Sequence, residues 1–292
     1  MVQDKNLGSR IFDGINMLLL LVIALIAVLP FVYIIAASFT AKEELLAKTF
    51  ILFPTKFSLE GYRYIFSNNI IIRSIGVSIY ITVVGTLLNL IFTSFLAYSL
   101  ARRDLDGRRI MMLMVLFTML FNGGMIPTYL VVKDLGLLNS LWSLTIPILI
   151  SPFNLIILKN FFQNLPEELH EAAKIDGCND LGILFKIVLP LSMPAMATFA
   201  LFYSVTHWNT YFQAVLYIND SKLWPVQVWL RQIVIVAEGG FGSAEYNDAN
   251  NVPPAQIVKM AVIVASTLPI LLVYPFLQKH FAKGALLGSV KG

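Results

Sequence analysis

The sequence has 292 residues, of which 58% are hydrophobic and 13% are charged, whereas an average soluble domain has about 25% charged residues. The 21 basic and 17 acidic residues leave a net charge of +4, which is too small to indicate a nucleic-acid partner beside so large an apolar excess. One cysteine and three histidines exclude a disulfide scaffold and a zinc site of ordinary ligand spacing. The composition predicts a membrane protein.

Six apolar segments are long enough to cross the roughly 30 Å hydrocarbon core of a bilayer as helices. Helices are favoured because an open sheet would leave unpaired backbone groups in lipid, and the segments do not alternate as barrel strands do. We therefore predict an all-α, polytopic membrane protein. The first segment is too long for the apolar part of a signal peptide and is predicted to be a retained anchor. The predicted spans cover residues 15–39, 71–100, 110–132, 138–160, 190–217 and 257–278.

The distribution of basic residues predicts the orientation of these spans. An even number of spans places both termini on one side, together with the loop 101–109 and the segment 161–189. This side holds the larger share of the 21 basic residues, and four arginines, Arg102, Arg103, Arg108 and Arg109, crowd its shortest loop. By the positive-inside rule both termini are predicted to be cytoplasmic, in a bacterial cell membrane.

The cytoplasmic segment between the fourth and fifth spans is patterned as two short helices. Pro166 and the two glutamates after it are typical of a helix start, and Gly177 is placed to end that helix. Asn179 or Asp180 can cap a second helix. By spacing, one face of the first helix carries Leu169, Ala172, Ala173 and Asp176. By pattern alone, such a loop is either an interfacial helix or a docking element.

A spaced set of residues in this segment distinguishes between the two: Glu171, Ala172, Ala173, Asp176, Gly177, Ile187, Leu189 and Pro190. The set resembles the EAA motif of inner-membrane permease subunits of ABC importers. In that family the loop is a coupling helix that sits in a cleft of the ATPase subunit. The resemblance implies that the two alanines allow close approach and that Gly177 supplies the turn.

The resemblance to the carbohydrate-uptake, maltose-type branch of this family extends from about residue 70 to the end of the chain. It rests on the segments 123–129 and 135–140 and on Trp208-Asn209. It implies an N-terminal helix and external connection over 1–70, a permease core over 71–278 and a cytoplasmic tail over 279–292. The tail either reaches into the ATPase, as in the family, or is simply disordered.

Polar groups within spans are costly unless they pair or line a cavity, so they are candidates for a solute pathway. Asn122 precedes Gly123 and Gly124, which either break the helix and open the backbone to solute or allow close helix packing. For Asn89 and Asn154, hydrogen bonding between helices is the favoured interpretation.

The fifth predicted span contains a mixture of rings and amides toward its outer half. Aromatic faces stack on sugars and amides meet hydroxyls, whereas an aromatic belt at the outer interface would give the same composition. Trp208 and Tyr211, three residues apart, are expected to share a helix face. The absence of a buried charge cluster argues against an ionic solute such as phosphate. The predicted solute-pathway residues are Asn122, Asn154, Trp208, Asn209 and Tyr211.

The external segment 218–256 contains a glycine-rich stretch followed by asparagines and prolines, which predicts a loop. In the maltose-type family a loop at this place contacts the solute-binding protein, and Glu238, Gly239, Gly240 and Phe241 would make that contact here. A plain surface connection is the alternative.

No phosphate-binding GxxxxGK[ST] loop occurs in the sequence, so the chain is not expected to be an enzyme or to hold a cofactor or metal. The resemblance implies that ATP and Mg are bound by a partner. It also implies a second permease subunit, two ATPase subunits, an extracytoplasmic solute-binding protein and a carbohydrate, such as an oligosaccharide, as the solute. The alternative function is ion-coupled secondary transport of a neutral solute, which predicts acidic residues within spans, and none falls there. A membrane enzyme is disfavoured because no nucleophile, base and orienting group lie at a recognisable spacing.

Overall fold

The computed structural model describes residues 7–237 and 255–289, except residues 49 and 68. Within these residues the chain is helical, and its extended pairing is an isolated antiparallel bridge between Thr40 and Phe57. The α-helices are α1 (Leu7–Ser38), α2 (Lys42–Ala47), α3 (Glu60–Ser67), α4 (Asn69–Ala101), α5 (Arg108–Leu120), α6 (Met125–Asp134), α7 (Pro152–Gln163), α8 (Glu168–Ile175), α9 (Asp180–Ile183), α10 (Leu189–Leu191), α11 (Met193–Trp208), α12 (Phe212–Tyr217), α13 (Val226–Ala237) and α14 (Ala255–Ser289). Short 3₁₀ turns cover Leu141–Leu144, Ile146–Ile148 and Ser221–Leu223, and a π turn covers Leu184–Val188.

Three described helical segments are each long and apolar enough to cross a membrane: Gly8–Ser38, Asn69–Ala101 and Ala255–Val273. Three further pairs of helices pass the same test together but are bent sharply where they join. If each pair counts as one span, the total is six. The predicted all-α, six-span membrane architecture is therefore confirmed.

The third, fourth and fifth spans differ from the prediction because they are not continuous. The bends are 118° between α5 and α6, 52° between the 3₁₀ turns and α7, and 84° between the segment 180–191 and α11. The causes are residues that interrupt a helix. Gly124 has φ +89°, and Pro152 and Pro194 lie in the first turns of α7 and α11, where a proline disfavours a helical conformation of the residue before it.

The described residues divide into two compact units, one within 1–69 and 230–267 and the other within 70–229 and 268–292. In the first unit, α3 packs closely on α14, because a Cβ added at Gly61 would lie 2.8 Å from Ile257 Cγ2. Glu44 stabilises the connection between α2 and α3 in this unit. It pairs with Lys48 Nζ at 2.8 Å and accepts backbone N–H groups of Thr55 and Lys56. These bonds lower the pKa of Glu44 from 4.5 to about 2, and the bond to Lys48 contributes most.

The second unit contains two hydrophobic clusters. The larger lies around Tyr98, Leu158, Ala173, Ile183 and Phe199, so it joins α4, α7, α8, α9 and α11. The smaller lies around Ile81, Leu144 and Tyr217. The larger cluster anchors the segment that carries the predicted coupling motif.

Candidate functional site

The first helix of the predicted coupling motif, α8, ends as the sequence predicts. Gly177 has φ +79°, a left-handed conformation that glycine adopts without a Cβ penalty. The N–H of Cys178 donates to the Ala173 carbonyl at 2.9 Å and the N–H of Gly177 to the Lys174 carbonyl at 3.0 Å. These two bonds form a Schellman motif, which turns the chain sharply after Asp176.

The second half of the motif begins with the predicted cap. Asn179 Oδ1 accepts the N–H of Gly182 at 2.7 Å, so Asn179 rather than Asp180 caps α9. The chain continues through the π turn into α10. Along it Ile187 and Leu189 are half-buried against the larger cluster, and Pro190 is exposed.

Of the four residues on the predicted face of α8, only Ala173 is buried. Ala173 is 5% exposed and belongs to the larger cluster. Glu171, Ala172, Asp176 and Gly177 are exposed. Within α8, Ala173 is therefore the motif side chain that the cluster holds, and Glu171 and Ala172 face outward.

Ile175, which the sequence analysis did not single out, is 86% exposed at the end of α8. The spacing of apolar residues could not identify Ile175 as exposed, because an apolar residue at helical spacing is usually on the buried face of a helix. A single exposed apolar side chain is common on protein surfaces, so Ile175 points to a partner only together with the motif on the same helix.

Behind α8 lies a cavity of about 140 Å³ at the end of α4 and α7. The rings of Tyr98 and His170 stack across it, with centroids 5.9 Å apart and an interplanar angle of 13°. Burial lowers the pKa of His170, and the positive charge of Arg102 lowers it further. The other residues that line the cavity are Ala101, Arg102, Arg103, Phe162, Gln163, Leu165 and Glu167.

The predicted solute-pathway residue Asn122 lies at the break between α5 and α6. Its Oδ1 accepts the N–H of Gly124 at 2.9 Å, and its side chain is exposed. A Cβ added at Gly123 would meet only Pro127, at 3.8 Å, and one at Gly124 would meet nothing within 4 Å. The glycines therefore break the helix and do not serve close packing.

The predicted helix through Trp208 and Tyr211 is wrong. α11 ends at Trp208, and Asn209 is its C-cap, so the two rings do not share a helix face. Trp208 is 4% exposed and lines an apolar pocket, whereas Tyr211 is half-buried against the smaller cluster. Asn209 is exposed, and its Nδ2 donates to the Val205 carbonyl at 2.9 Å.

Two of the polar residues within spans are joined by a hydrogen bond. Asn89 Nδ2 donates to the carbonyls of Ile148 and Leu149 at 2.7 and 2.8 Å, so it ties α4 to the broken fourth span. Its Oδ1 lies 2.6 Å from Nε2 of His207, which must donate because the amide oxygen accepts. Asn154, another predicted pathway residue, is 7% exposed. In this conformation Asn154 and Trp208 expose little surface to a solute.

The residues predicted to contact a solute-binding protein, Glu238, Gly239, Gly240 and Phe241, lie outside the described residues. Among the residues that the structure describes, no group of three His, Cys, Asp or Glu side chains could hold a metal.

Comparison with known proteins identifies the family. The family described as "Binding-protein-dependent transport system inner membrane component" matches residues 6–286. Over 284 residues the chain is 62% identical to the polygalacturonan/rhamnogalacturonan transport system permease protein YtcP of Bacillus subtilis, covering 97% of this chain and 99% of that one. It is 31% identical over 275 residues to the arabinooligosaccharides permease AraQ of Halalkalibacterium halodurans, covering 92% and 93%.

A solved structure shares both sequence and fold with this chain. It is that of a bacterial ABC transporter involved in the import of the acidic polysaccharide alginate. The match has a TM-score of 0.88 and 33% identity, and it covers 94% of this chain and 98% of that one. The chain therefore belongs to the binding-protein-dependent inner membrane components of ABC transporters, as a carbohydrate-import permease and not an enzyme.

Proposed function

We propose that residues 166–191 couple this permease to a separate ATPase. The observation that carries the proposal is the exposure of Ile175 beside Glu171 and Asp176, on a helix that Ala173 anchors in the core. An anchored helix that presents an apolar side chain between two carboxylates fits a cleft in a partner. Burial of an isoleucine side chain stabilises such a contact by about 1.5–3 kcal/mol.

The energy for transport then comes from the partner. ATP and Mg bind in the ATPase, and closure of two ATPase subunits moves the coupling segment of each permease. A second, homologous permease completes the pathway. ATP shifts the balance between inward-facing and outward-facing states only through its tighter binding to the closed ATPase pair.

This arrangement requires the coupling segment to face the cytoplasm, and with six spans both termini lie there too. Arg102 and Arg103 of the loop 101–109 border the same cavity as α8, so they share the side that the positive-inside rule assigns to the cytoplasm.

The solute pathway runs along the breaks in the spans. Of the predicted pathway residues, Asn122 and Asn209 are exposed and Tyr211 is half-buried, and both asparagines lie where a helix ends. Backbone that leaves a helix at membrane depth is tolerated where it lines a cavity. In the present conformation Asn154 and Trp208 lie behind this surface.

The solute is an oligosaccharide that contains uronic acid units. The support is the 62% identity to a polygalacturonan/rhamnogalacturonan permease and the 33% identity to a component of an alginate importer, since all of these polysaccharides contain carboxylated sugars. This differs from the sequence-based expectation against an ionic solute. Each internal uronate unit presents about two hydroxyls beside its one carboxylate, so amides still suit most of its polar groups.

Replacement of Gly177 by Asp tests the coupling proposal. The side chain is strained at φ +79°, so the turn after α8 distorts while the spans persist. In the complex purified from native membranes and reconstituted in vesicles, we expect uptake of a galacturonate trisaccharide to fall at least tenfold. ATP hydrolysis in the same vesicles should no longer respond to the sugar and its binding protein.

Gly136→Asp is the matched control. Gly136 also has a left-handed φ, +68°, and open space around its Cβ position, but it lies at the end of α6. Normal coupling in Gly177→Asp would refute the proposed role of this turn. Equal uptake of a neutral arabinose trisaccharide and the galacturonate trisaccharide by the unaltered complex would refute the uronate specificity.

A further inference from the structure

Tyr98 occupies an unusual position between a membrane span and the coupling helix. Its side chain is 7% exposed and belongs to the larger hydrophobic cluster of the second unit. Its hydroxyl is buried, yet no side-chain or backbone group of the described residues forms a hydrogen bond with it. A buried hydroxyl without a hydrogen bond destabilises the folded state, and a hydrogen-bond acceptor brought within reach would recover that free energy.

The hydroxyl has polar groups available across the cavity behind α8. Tyr98 lines this cavity of about 140 Å³ together with Gln163, Glu167 and His170. Gln163 uses its Nε2 to donate to the Ala101 carbonyl at 3.1 Å, so its amide oxygen can accept. The Glu167 carboxylate directly precedes α8 and moves with it.

The ring of Tyr98 makes the lateral contact between α4 and α8. It stacks on His170 with the planes within 13°, and Ala173, one turn along α8, lies in the same cluster. Through this cluster Ala173 also joins α8 to α4 and α7. A sliding movement of α8 would change the contact between His170 and Tyr98, and the cavity beside the two rings offers space for it.

We propose that Tyr98 is a positioning residue that transmits movement of the coupling helix α8 to the membrane span α4. In the present state its ring holds His170. When α8 moves into the cavity, the Tyr98 hydroxyl donates a hydrogen bond to Glu167 or Gln163. Each state of α8 therefore has its own contact with α4. This inference rests on the proposed coupling function of residues 166–191.

Tyr98→Phe tests the proposal, since it keeps the ring stack and removes the hydroxyl. In the reconstituted complex with both permeases and the ATPase, we expect galacturonate trisaccharide taken up per ATP hydrolysed to fall about fivefold, the loss of one hydrogen bond in one state. The amount of ATPase that copurifies and the maximal hydrolysis rate should not change. Tyr80→Phe, at an exposed tyrosine on the same helix, is the matched control and should leave the ratio unaltered.

The ring contact is tested at His170. His170→Ala should also lower uptake per ATP, whereas His170→Phe should restore it, because a phenyl ring can stack on Tyr98. An unchanged ratio in Tyr98→Phe, or equal defects in the Ala and Phe variants of His170, would overturn the proposal. If Gly177→Asp uncouples transport while Tyr98→Phe does not, the coupling function stands and the inference about Tyr98 alone fails.

Discussion

Two histidines in the second unit occupy opposite kinds of environment. His207 is fully buried, donates from Nε2 to Asn89 and presses on Gly85, where an added Cβ would lie 2.5 Å from the ring. His170 is half-buried, stacks on Tyr98 and borders a cavity. The His207 ring has no space to move, whereas the His170 ring has open space beside it.

The difference separates the parts of a transporter that must stay fixed from those that must shift. Around His207, three elements meet at Asn89, which donates to two backbone carbonyls and accepts from the His207 ring. These bonds tie α4, the break at Leu149 and the end of α11 together. Around His170, the contact of α8 with the rest of the unit depends on the ring of Tyr98 and on the buried Ala173. If residues 166–191 couple the permease to an ATPase as proposed, their movement is resisted around Asn89 and permitted around Tyr98.

The largest effect is expected from Gly85→Leu. Three atoms of the His207 ring lie within 2.8 Å of the Cβ position, so the side chain cannot be placed without separating α4 from α11. Overpacking of this kind costs about 1–3 kcal/mol or more. We expect little or no folded complex by size-exclusion chromatography. Gly76→Leu on the same helix, with nothing within 4 Å, should elute normally, and normal elution of both variants would contradict the close contact.

A smaller loss is expected from Asn89→Leu. The change leaves the carbonyls of Ile148 and Leu149 and the N–H of His207 without their partner, which we expect to cost about 2 kcal/mol in all, since hydrogen bonds between membrane helices are individually weak. Thermal unfolding in detergent measures it. Asn219→Leu, at an exposed asparagine, provides the reference. Equal melting temperatures for the two variants would show that the hydrogen bonds of Asn89 do not stabilise the fold.

Ile175→Ser sharpens the other side of the comparison, because it alters the outward face of α8 and leaves its anchor intact. Loss of an apolar side chain from the proposed ATPase contact should weaken binding about tenfold. Titration of the purified ATPase against the permeases measures this. Ile175→Leu should bind as the natural protein does. Undiminished affinity of the serine variant would remove Ile175 from the interface.

The smallest effect is a pH dependence of the contact at His170. The pKa of His170 lies below 6.5 because burial and the charge of Arg102 disfavour the imidazolium. The charge of Lys174 lowers this pKa further, whereas the charges of Glu167 and Asp180 raise it. Because the folded contact disfavours a protonated His170, the contact is fully stable above pH 6.5. Its stability declines as the pH falls below that value, since the open state then binds the proton more readily.

Hydrogen exchange of the α8 amides should therefore quicken modestly between pH 7.5 and 5.5, after correction for intrinsic rates. His170→Phe should abolish this change. A persistent change in that variant would assign the pH dependence to another group.

The water-exposed parts of the molecule were predictable from sequence, and the breaks within apolar segments largely were not. Gly177 and Asn179 act through local backbone rules that hold wherever a helix ends, so their turn and cap were predicted correctly. Hydrophobicity measures burial in lipid but does not register a change of direction, so the bend before α11 and the end of α11 at Trp208 were missed. Tyr98 and Ile175 required the tertiary arrangement, because neither has a distinctive neighbour in sequence.

The 118° bend at Gly124 also bears on how the chain enters the bilayer. At 1.5 Å per residue, the 13 residues of α5 and the 10 of α6 reach only about 20 and 15 Å, so neither crosses roughly 30 Å of hydrocarbon. By contrast, α1 with its 32 residues can insert unaided. The third span must therefore complete its insertion together with its neighbours, and its assembly depends on helices that are synthesised after it.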